Sequence, residues 1–456
     1  MPINRIINCQ TQDNIGKEVK VAGWVNIRRD HGQIIFIDLR DRSGILQVVC
    51  QASLVEGVKD EDVLEIEGLV KERPSRMVNP NLITGKVELE AKEVRVLARA
   101  QTLPFTLKDL NVSLPVLLDW RALTLRNEKI KNVFKVQEAL ADEFRKSARE
   151  LDCTEIFVPT ISASATEGGA EVFKVDYYSH PAYLTQSPQL YKQMMVPVFE
   201  RVYTISHAYR SEPSVTTRHL SESIQLDCEF GFADFKELLD LMEKVGTNMF
   251  KAAESECPLI LKEYGAEKIS YGEIPRLTLR AAQEIIYREE GRDVRKEKDL
   301  SPEDEIDICK WALKEKGSDF VTITHFPTQK RAFYTMPDPE NPVFSLSYDL
   351  LFRGMEICSG SQRINNYDQL VSTIKERGMN PGDFEMYLQS FKFGMPPEGG
   401  FSFGLERMTK NILNLGNVRE ASLFPRDMER IDLKLAELKK KEEEKPKKKK
   451  SISQKK

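Results

Sequence analysis

RVYTISHAYR at 201–210 and ESIQLDCEFGF at 222–232, joined by SEPSVTTRHLS at 211–221, decide how this chain folds. Side chains alternate between two faces along a strand. In the first run Thr204, Ser206, Ala208, Arg210 and Glu212 therefore share one face, and Tyr203, Ile205, His207 and Tyr209 the other. In the second, Ser223, Gln225, Asp227 and Glu229 oppose Ile224, Leu226, Cys228 and Phe230. Paired antiparallel, the two runs make a polar floor of mixed charge over an apolar layer. The connecting loop adds Arg218 and His219, so an anion on that floor meets cations from both sides, which suits a nucleotide triphosphate. Alternation alone fits any half-buried antiparallel pair, so the surrounding sequence has to carry the distinction.

Three motifs do so. The first strand ends in Arg210, Ser211 and Glu212, which resembles motif 2 of the class II aminoacyl-tRNA synthetases, where an arginine is followed two residues later by a glutamate. GGFSFGLERMTKNIL at 399–413, a glycine-rich run entering a helix that carries Arg407, resembles motif 3 of that family. The helix and strand at 133–159, closed by Pro159, resemble motif 1, which builds the family's dimer interface. The resemblance implies an α+β catalytic domain, an antiparallel sheet flanked by helices, that uses ATP and Mg2+ and works as a homodimer.

Composition sets bounds. A chain of 456 residues exceeds one ordinary core and points to two or three domains. A net charge of -4 leaves nucleic-acid binding to local patches. The seven cysteines, at 9, 50, 153, 228, 257, 309 and 358, form no CxxC pair, which argues against structural zinc and for reduced thiols. No apolar run approaches the roughly 20 residues that span a bilayer. A soluble, cytoplasmic protein without membrane contact is expected.

Residues 18–97 read as five short strands separated by turn signals, hence a small barrel within a domain at 1–100. In QIIFIDLR, Ile35, Ile37 and Leu39 alternate inward and leave Phe36 on the solvent face beside Asp38 and Arg40. A phenylalanine there suits base stacking. This region resembles the OB-fold anticodon-binding domain of aspartyl-, asparaginyl- and lysyl-tRNA synthetases. That resemblance gives Phe36 the middle anticodon base and Gln47 its edge, and places Arg28 and Glu88 at further anticodon contacts. A hinge with one short turn of helix is expected at 101–126, the catalytic domain at 127–432, and a lysine-rich disordered tail at 433–456. Helical patterns cover 127–151, with apolar residues at Ile130, Val133, Phe134, Val136, Leu140, Phe144 and Leu151, and also 233–255 and 279–316. SDFVTITHFP and VFSLSYDLLFRGMEICSG read as strands.

YLTQSPQLYKQMM at 183–195 and EICSGSQRI at 356–364 resemble the aspartyl-tRNA synthetases of the archaeal and eukaryotic type. On that resemblance Lys192 and Arg363 grip the side-chain carboxylate of L-aspartate, Asp227 steadies those cations, and Ser359 lies beside them. Gln189 with Glu167 holds the ammonium group, and TEGG at 166–169 is the loop that closes over the amino acid. Arg210 is expected on the ATP α-phosphate, Glu212 on the adenine amino group, and Arg218, His219 and Arg407 on the β- and γ-phosphates and the adenine face. Glu356 and Ser359 are the expected Mg2+ ligands, since that ion prefers oxygen donors. Many members carry an aromatic residue under adenine where this chain has Ser223, which leaves the stacking partner open.

The implied reaction is ATP-dependent formation of aspartyl-adenylate, then transfer to the 3′ end of tRNA(Asp). The segment between motifs 2 and 3 is too short for the large inserted domain of typical bacterial aspartyl enzymes. His31, in RRDHG, is similar to the histidine of relaxed enzymes that also charge tRNA(Asn), against its reading as a turn residue. An asparaginyl enzyme shares the barrel and all three motifs, but Lys192 in QSPQLYK and the ending LFPRD count against it. A non-catalytic paralogue is countered by intact Arg210, Glu356 and Arg407. The lysine run of the tail is a solvated segment or a salt-sensitive aid to tRNA binding.

Overall fold

The computed structural model describes residues 4–108, 110–163, 171–212 and 216–435. Backbone packing divides the chain into two units that meet at Asn111 and Val112. That boundary falls inside the stretch 101–126 read as a hinge. The second half of the stretch is α1 (Leu114–Asp119) and α2 (Arg121–Thr124), two helices where one short turn was expected. The Arg121 guanidinium fixes them within the second unit, donating to the carbonyls of Glu420, Ser422 and Leu423.

The first unit is a closed barrel in the strand order β1-β2-β3-β5-β4, made of β1 (Glu18–His31), β2 (Ile34–Asp41), β3 (Gly44–Gln51), β4 (Val63–Glu72) and β5 (Val87–Ala98). Period-two alternation fills it. Val21, Val25, Ile37, Leu39, Leu46, Val48, Leu64, Ile66 and Leu89 point inward and are fully buried, each contributing about 1.5–3 kcal/mol of transfer free energy. One irregularity matters for function. Val25 pairs with Leu39 and Ile27 with Asp38, so Asn26 is an extra residue, and the bulge reverses which β1 side chains face outward beyond it.

After α1 and α2 the second unit continues with α3 (Glu128–Glu150), started by Asn127, whose side chain accepts from the Ile130 amide at 3.2 Å. Its apolar stripe, Val133, Val136, Leu140 and Phe144, is buried in the unit's own core with α5 (Phe235–Glu256). β6 (Thr154–Glu155) follows, and β7 (Ile161–Ser162), β8 (Lys174–Tyr177) and β9 (His180–Leu184) make a small antiparallel sheet. α4 (Gln189–Phe199) leads into β10 (Arg201–Tyr209) and β11 (Glu222–Gly231), the hairpin read from sequence, in unbroken register from Arg201↔Phe230 to Tyr209↔Glu222.

After α5 come α6 (Pro258–Glu263), β12 (Arg276–Thr278), α7 (Leu279–Glu290) and α8 (Pro302–Lys316). The helical pattern over 279–316 is therefore two helices. Gly291 ends α7 in the left-handed region at φ 72°, and a reciprocal cap between Ser301 and Asp304, with Pro302, restarts the chain as α8. β13 (Phe320–Thr324), β14 (Ser347–Phe352), β15 (Met355–Gln362), α9 (Tyr367–Glu376), α10 (Glu385–Lys392), β16 (Glu398–Gly404) and α11 (Leu405–Ile412) complete the unit. Eight strands form the main sheet, β12-β13-β14-β15-β16-β11-β10-β6, antiparallel except for the pair at either edge. The architecture is α+β, an OB-type barrel followed by a large sheet with helices, as expected. Among the described residues no helix is long and apolar enough to cross a membrane.

Candidate active site

Sheet register lines up the floor. Thr204 on β10 pairs with Asp227 on β11, Asp227 with Ser402 on β16, Ser402 with Ser359 on β15, and Ser359 with Asp349 on β14. Partners directly opposite share a face, so five strands offer one polar row. Above this row opens a cleft of about 410 Å3 lined by Gln189, Lys192, Arg210, Glu212, Arg218, His219, Ser223, Asp227, Glu356, Ser359, Arg363 and Arg407. Apart from Ser223, these are the catalytic, ATP and amino-acid residues read from sequence, brought together from two strands, two helices and the chain that follows β10 and β15. Glu167 and the TEGG loop lie outside the described residues.

One end of the cleft is a buried ion cluster. Lys192 Nζ, on α4, lies 2.8 Å from Asp227 Oδ1 and 3.0 Å from Glu229 Oε2. Arg363 Nε donates to Glu229 Oε1 at 2.7 Å, Nη1 to Ser361 Oγ at 2.6 Å and Nη2 to Gln189 Oε1 at 3.1 Å. Glu229 thus bridges both cations, whereas the reading from sequence gave Asp227 alone that task. Asp227 meets Lys192; Arg363 is held by Glu229. Alternation had placed Glu229 on the right face, and its partner Arg363, far along the chain, became visible only in the fold. Burial by itself would raise the Glu229 carboxyl, but Arg363 and Lys192 outweigh it and hold it down at about 2. Glu398, also buried, is pushed well above the carboxylate range by burial and by the Glu229 charge, and it accepts from Gln193 Nε2 at 2.7 Å. Lys192 loses some of its proton affinity to burial and regains more from Asp227 and Glu229, so it stays charged.

The other end carries cations set for a polyanion. Arg210 Nη1 is 3.9 Å from Glu212 Oε1, His219 Nε2 is 3.6 Å from Glu212 Oε2, and Arg407 Nη1 is 3.4 Å from Glu356 Oε2. Burial and the neighbouring Arg407, Arg210 and Arg218 push the His219 pKa down against the pull of Glu212. A bulge in β15 accounts for the spacing of Glu356 and Ser359. Cys358 pairs with Leu350 and Glu356 with Leu351, so Ile357 is extra, and residues three apart face the same cleft. Arg331 was not read from sequence; its Nη2 donates to Asp349 Oδ2 at 2.6 Å and its Nη1 to Ser359 Oγ at 3.3 Å. It lies in TQKRAF, a connecting segment without periodicity or motif, so nothing in the sequence singled it out.

In the barrel unit Phe36 is half-buried on the outer face, with the His31 ring edge-on at 5.4 Å. Gln47 Nε2 donates to Glu88 Oε2 at 2.9 Å on the same face. Arg28 does not join them. Past the bulge it pairs with the inward-facing Ile37, and its guanidinium is bound by the Val55 and Val58 carbonyls and Asp30. Arg29 takes the outward position opposite Phe36 and grips Asp38 with two bonds, at 2.7 and 2.8 Å.

Residues 113–428 match the family model described as tRNA synthetases class II (D, K and N), and residues 19–97 match the OB-fold nucleic acid binding domain. The chain belongs to the class II tRNA synthetases. It is accordingly an aminoacyl-tRNA ligase of a family that uses ATP. An aspartate–tRNA(Asp/Asn) ligase of Thermus thermophilus is 41% identical over 94% of this synthetase and 99% of its own length. An aspartate–tRNA(Asp) ligase of Pyrococcus horikoshii is 36% identical over 92% and 97%. Among solved structures, asparaginyl-tRNA synthetase from Pyrococcus horikoshii with asparaginyl-adenylate superposes with a TM-score of 0.86 at 29% identity, covering 94% of this synthetase and all of that chain. A putative aspartyl-tRNA synthetase from Leishmania major gives 0.85 at 28%, covering 94% and 95%. The fold is thus common to aspartyl and asparaginyl enzymes.

Proposed function

We propose that the chain is a cytoplasmic aspartate–tRNA ligase, and that Lys192 and Arg363 receive the side-chain carboxylate of L-aspartate. The observation that carries this is the buried cluster: two cations fixed by Glu229 and Asp227 at the closed end of the cleft. An aspartate carboxylate adds charge-assisted bonds to Lys192 and Arg363. Asparagine presents an amide, whose NH2 cannot accept from either cation and leaves one of them short of a partner.

In the first step an α-carboxylate oxygen of aspartate attacks the α-phosphorus of ATP and pyrophosphate leaves. In the second the terminal ribose hydroxyl of tRNA attacks the acyl carbon and AMP leaves. Neither step needs a protein nucleophile, so the residues act by alignment and charge. Arg210 stabilises the α-phosphoryl oxygens, Glu212 accepts from the adenine amino group, and Arg218, His219 and Arg407 neutralise the β- and γ-phosphates and cover the adenine. Gln189, with Glu167, orients the ammonium group. Glu356 and Ser359 suit Mg2+: they present hard oxygens on one face, and Asp349, opposite Ser359, keeps its buried Oδ1 outside any hydrogen bond. When bound, that ion would neutralise charge between phosphates. Few protein carboxylates fit an ion that takes most of its ligands from phosphate and water.

On the barrel, Phe36 stacks an anticodon base, with Gln47 and Glu88 reading edges beside it and His31 over the ring. The (Asp/Asn) relatives and His31 support acceptance of both tRNA(Asp) and tRNA(Asn). A homodimer belongs to the same reading: the motif 1 stripe is covered within the unit, and the exposed Phe157 and Phe232, 89% and 70% accessible, supply apolar surface for a partner. A stable, active monomer in sedimentation would overturn it.

The test is aminoacylation with labelled aspartate and labelled asparagine on tRNA(Asp) and tRNA(Asn) transcripts. Aspartate on both tRNAs is expected. Aspartate on tRNA(Asp) alone removes the role given to His31, and asparagine transfer, or none, removes the role given to Lys192 and Arg363.

A further inference from the structure

Arg218 lines the cleft, and its guanidinium is clamped by two groups from other elements. Its Nη1 donates to Glu305 Oε2 at 2.5 Å and its Nη2 to the Gly354 carbonyl at 3.0 Å. Glu305 lies in the first turn of α8, a helix with no counterpart in the three motifs, and the Gly354 carbonyl belongs to the turn between β14 and β15.

The two acceptors are fixed relative to each other. Gly354 sits at φ 81°, and a Cβ there would lie 2.7 Å from Ile306 Cγ1, so the turn packs directly on the residue after Glu305. The start of α8 is pinned by its reciprocal cap and by Arg292, which reaches Glu303, Asp304 and Asp307, each at 2.8 Å. The Glu305 side chain is 14% exposed and that of Arg218 21%, so the pair is shielded from solvent on most sides. The chain beside Arg218 is tied down as well, the Thr217 carbonyl accepting from the Val418 amide at 3.0 Å.

We propose that Glu305 is a positioning residue for ATP, holding Arg218 against α8 with its remaining N–H groups turned to the polyphosphate. Arg218 lines the cleft while bound to both acceptors, so the ion pair does not withdraw it from the ligand. A guanidinium has five N–H groups in one plane; with one from each Nη taken, Nε–H and two others remain for a ligand in the cleft. An arginine on a loop otherwise loses rotamer freedom when ATP binds, and the clamp settles that cost in advance. An ion pair that merely held α8 in place would leave ATP binding unchanged when broken, whereas the clamp would not.

This inference rests on the placement of Arg218 at the phosphates, and the experiment separates the two. ATP–pyrophosphate exchange is measured on the full chain for Arg218→Ala, Glu305→Gln and the double variant, with melting temperature followed in each. Glu305→Gln keeps the shape and removes the charge, and the assay is run above pH 7 because burial draws the Glu305 carboxyl up to about 7 against the pull of Arg218. Expected is a rise in KM for ATP of about tenfold or more, the scale of a charge-assisted hydrogen bond, with KM for aspartate unchanged. The double variant should be no worse than Arg218→Ala, since the clamp has nothing left to hold. A rise with Arg218→Ala but none with Glu305→Gln, or effects that multiply in the double variant, overturns the clamp. No rise with either overturns the placement of Arg218 at the phosphates and the clamp with it.

Discussion

Glu229 makes no contact with solvent, yet three of the proposed substrate-binding side chains depend on it: Lys192 at 3.0 Å, Arg363 at 2.7 Å and Gln189 at 3.2 Å. Its charge compensates two cations that would otherwise be buried with Asp227 alone. Breaking a buried pair from one side leaves an uncompensated charge and costs about 3–5 kcal/mol. Glu229→Gln should therefore lower stability by that amount in denaturant unfolding. It should also lower kcat/KM for aspartate by at least roughly 100-fold in pyrophosphate exchange, as the cations lose their fixed orientation. Glu398 is the contrast. It is a buried acid that burial and Glu229 keep protonated, so a neutral amide of the same shape reproduces its state. Glu398→Gln should leave stability within about 1 kcal/mol and activity within about threefold; a loss as large as that of Glu229→Gln would show that Glu398 carries charge.

Among the elements, β16 owes its glycines to its position between β11 and β15. A Cβ at Gly400 would stand 2.1 Å from the Cys228 carbonyl oxygen and 2.4 Å from Glu229 Oε2. The absent side chain is the space in which the Glu229 carboxylate lies. Gly400→Ala should displace that carboxylate, costing about 1–3 kcal/mol and most aspartate activation, while binding of ATP alone, followed by equilibrium titration, changes little. Loss of ATP binding as well would mean that the strand itself had moved. The same strand shows what was legible beforehand. GGFSFG could be read as a strand entering a helix, and the alternation of β10 and β11 gave the floor residue by residue, because a period of two maps directly onto two faces. Bulges broke that mapping. One extra residue, Asn26, turned Arg28 inward and Arg29 outward, and another, Ile357, brought Glu356 and Ser359 to one side. The break at 291–301 hid within a continuous helical pattern. Arg331 lies in a segment that no period or motif marks, Glu305 in a helical pattern that no motif marks, and their partners become neighbours only in the fold.

At the scale of the whole molecule, each unit closes its own core: the barrel around Val21, Ile37, Leu46, Leu64 and Leu89, the second unit around its sheet, α3 and α5. Every proposed contact to ATP and aspartate belongs to the second unit, and every proposed anticodon contact to the barrel. Two activities that a single core would couple through packing are thereby separable by mutation. Phe36 is half-buried, its ring lies on the outer face, and its removal opens no cavity in the barrel interior, which Ile35 and Ile37 on either side continue to fill. Stacking of one base on an aromatic ring contributes about 1–3 kcal/mol. Phe36→Ala should accordingly raise KM for tRNA by roughly 5- to 150-fold in aminoacylation and leave pyrophosphate exchange, which needs no tRNA contact in this reading, at the wild-type rate. A fall in both assays would mean that the ring supports the fold of the barrel and that the barrel influences the second unit. A fall in neither would remove the base from Phe36, and Arg29, paired across from it and holding Asp38, would become the next residue to test.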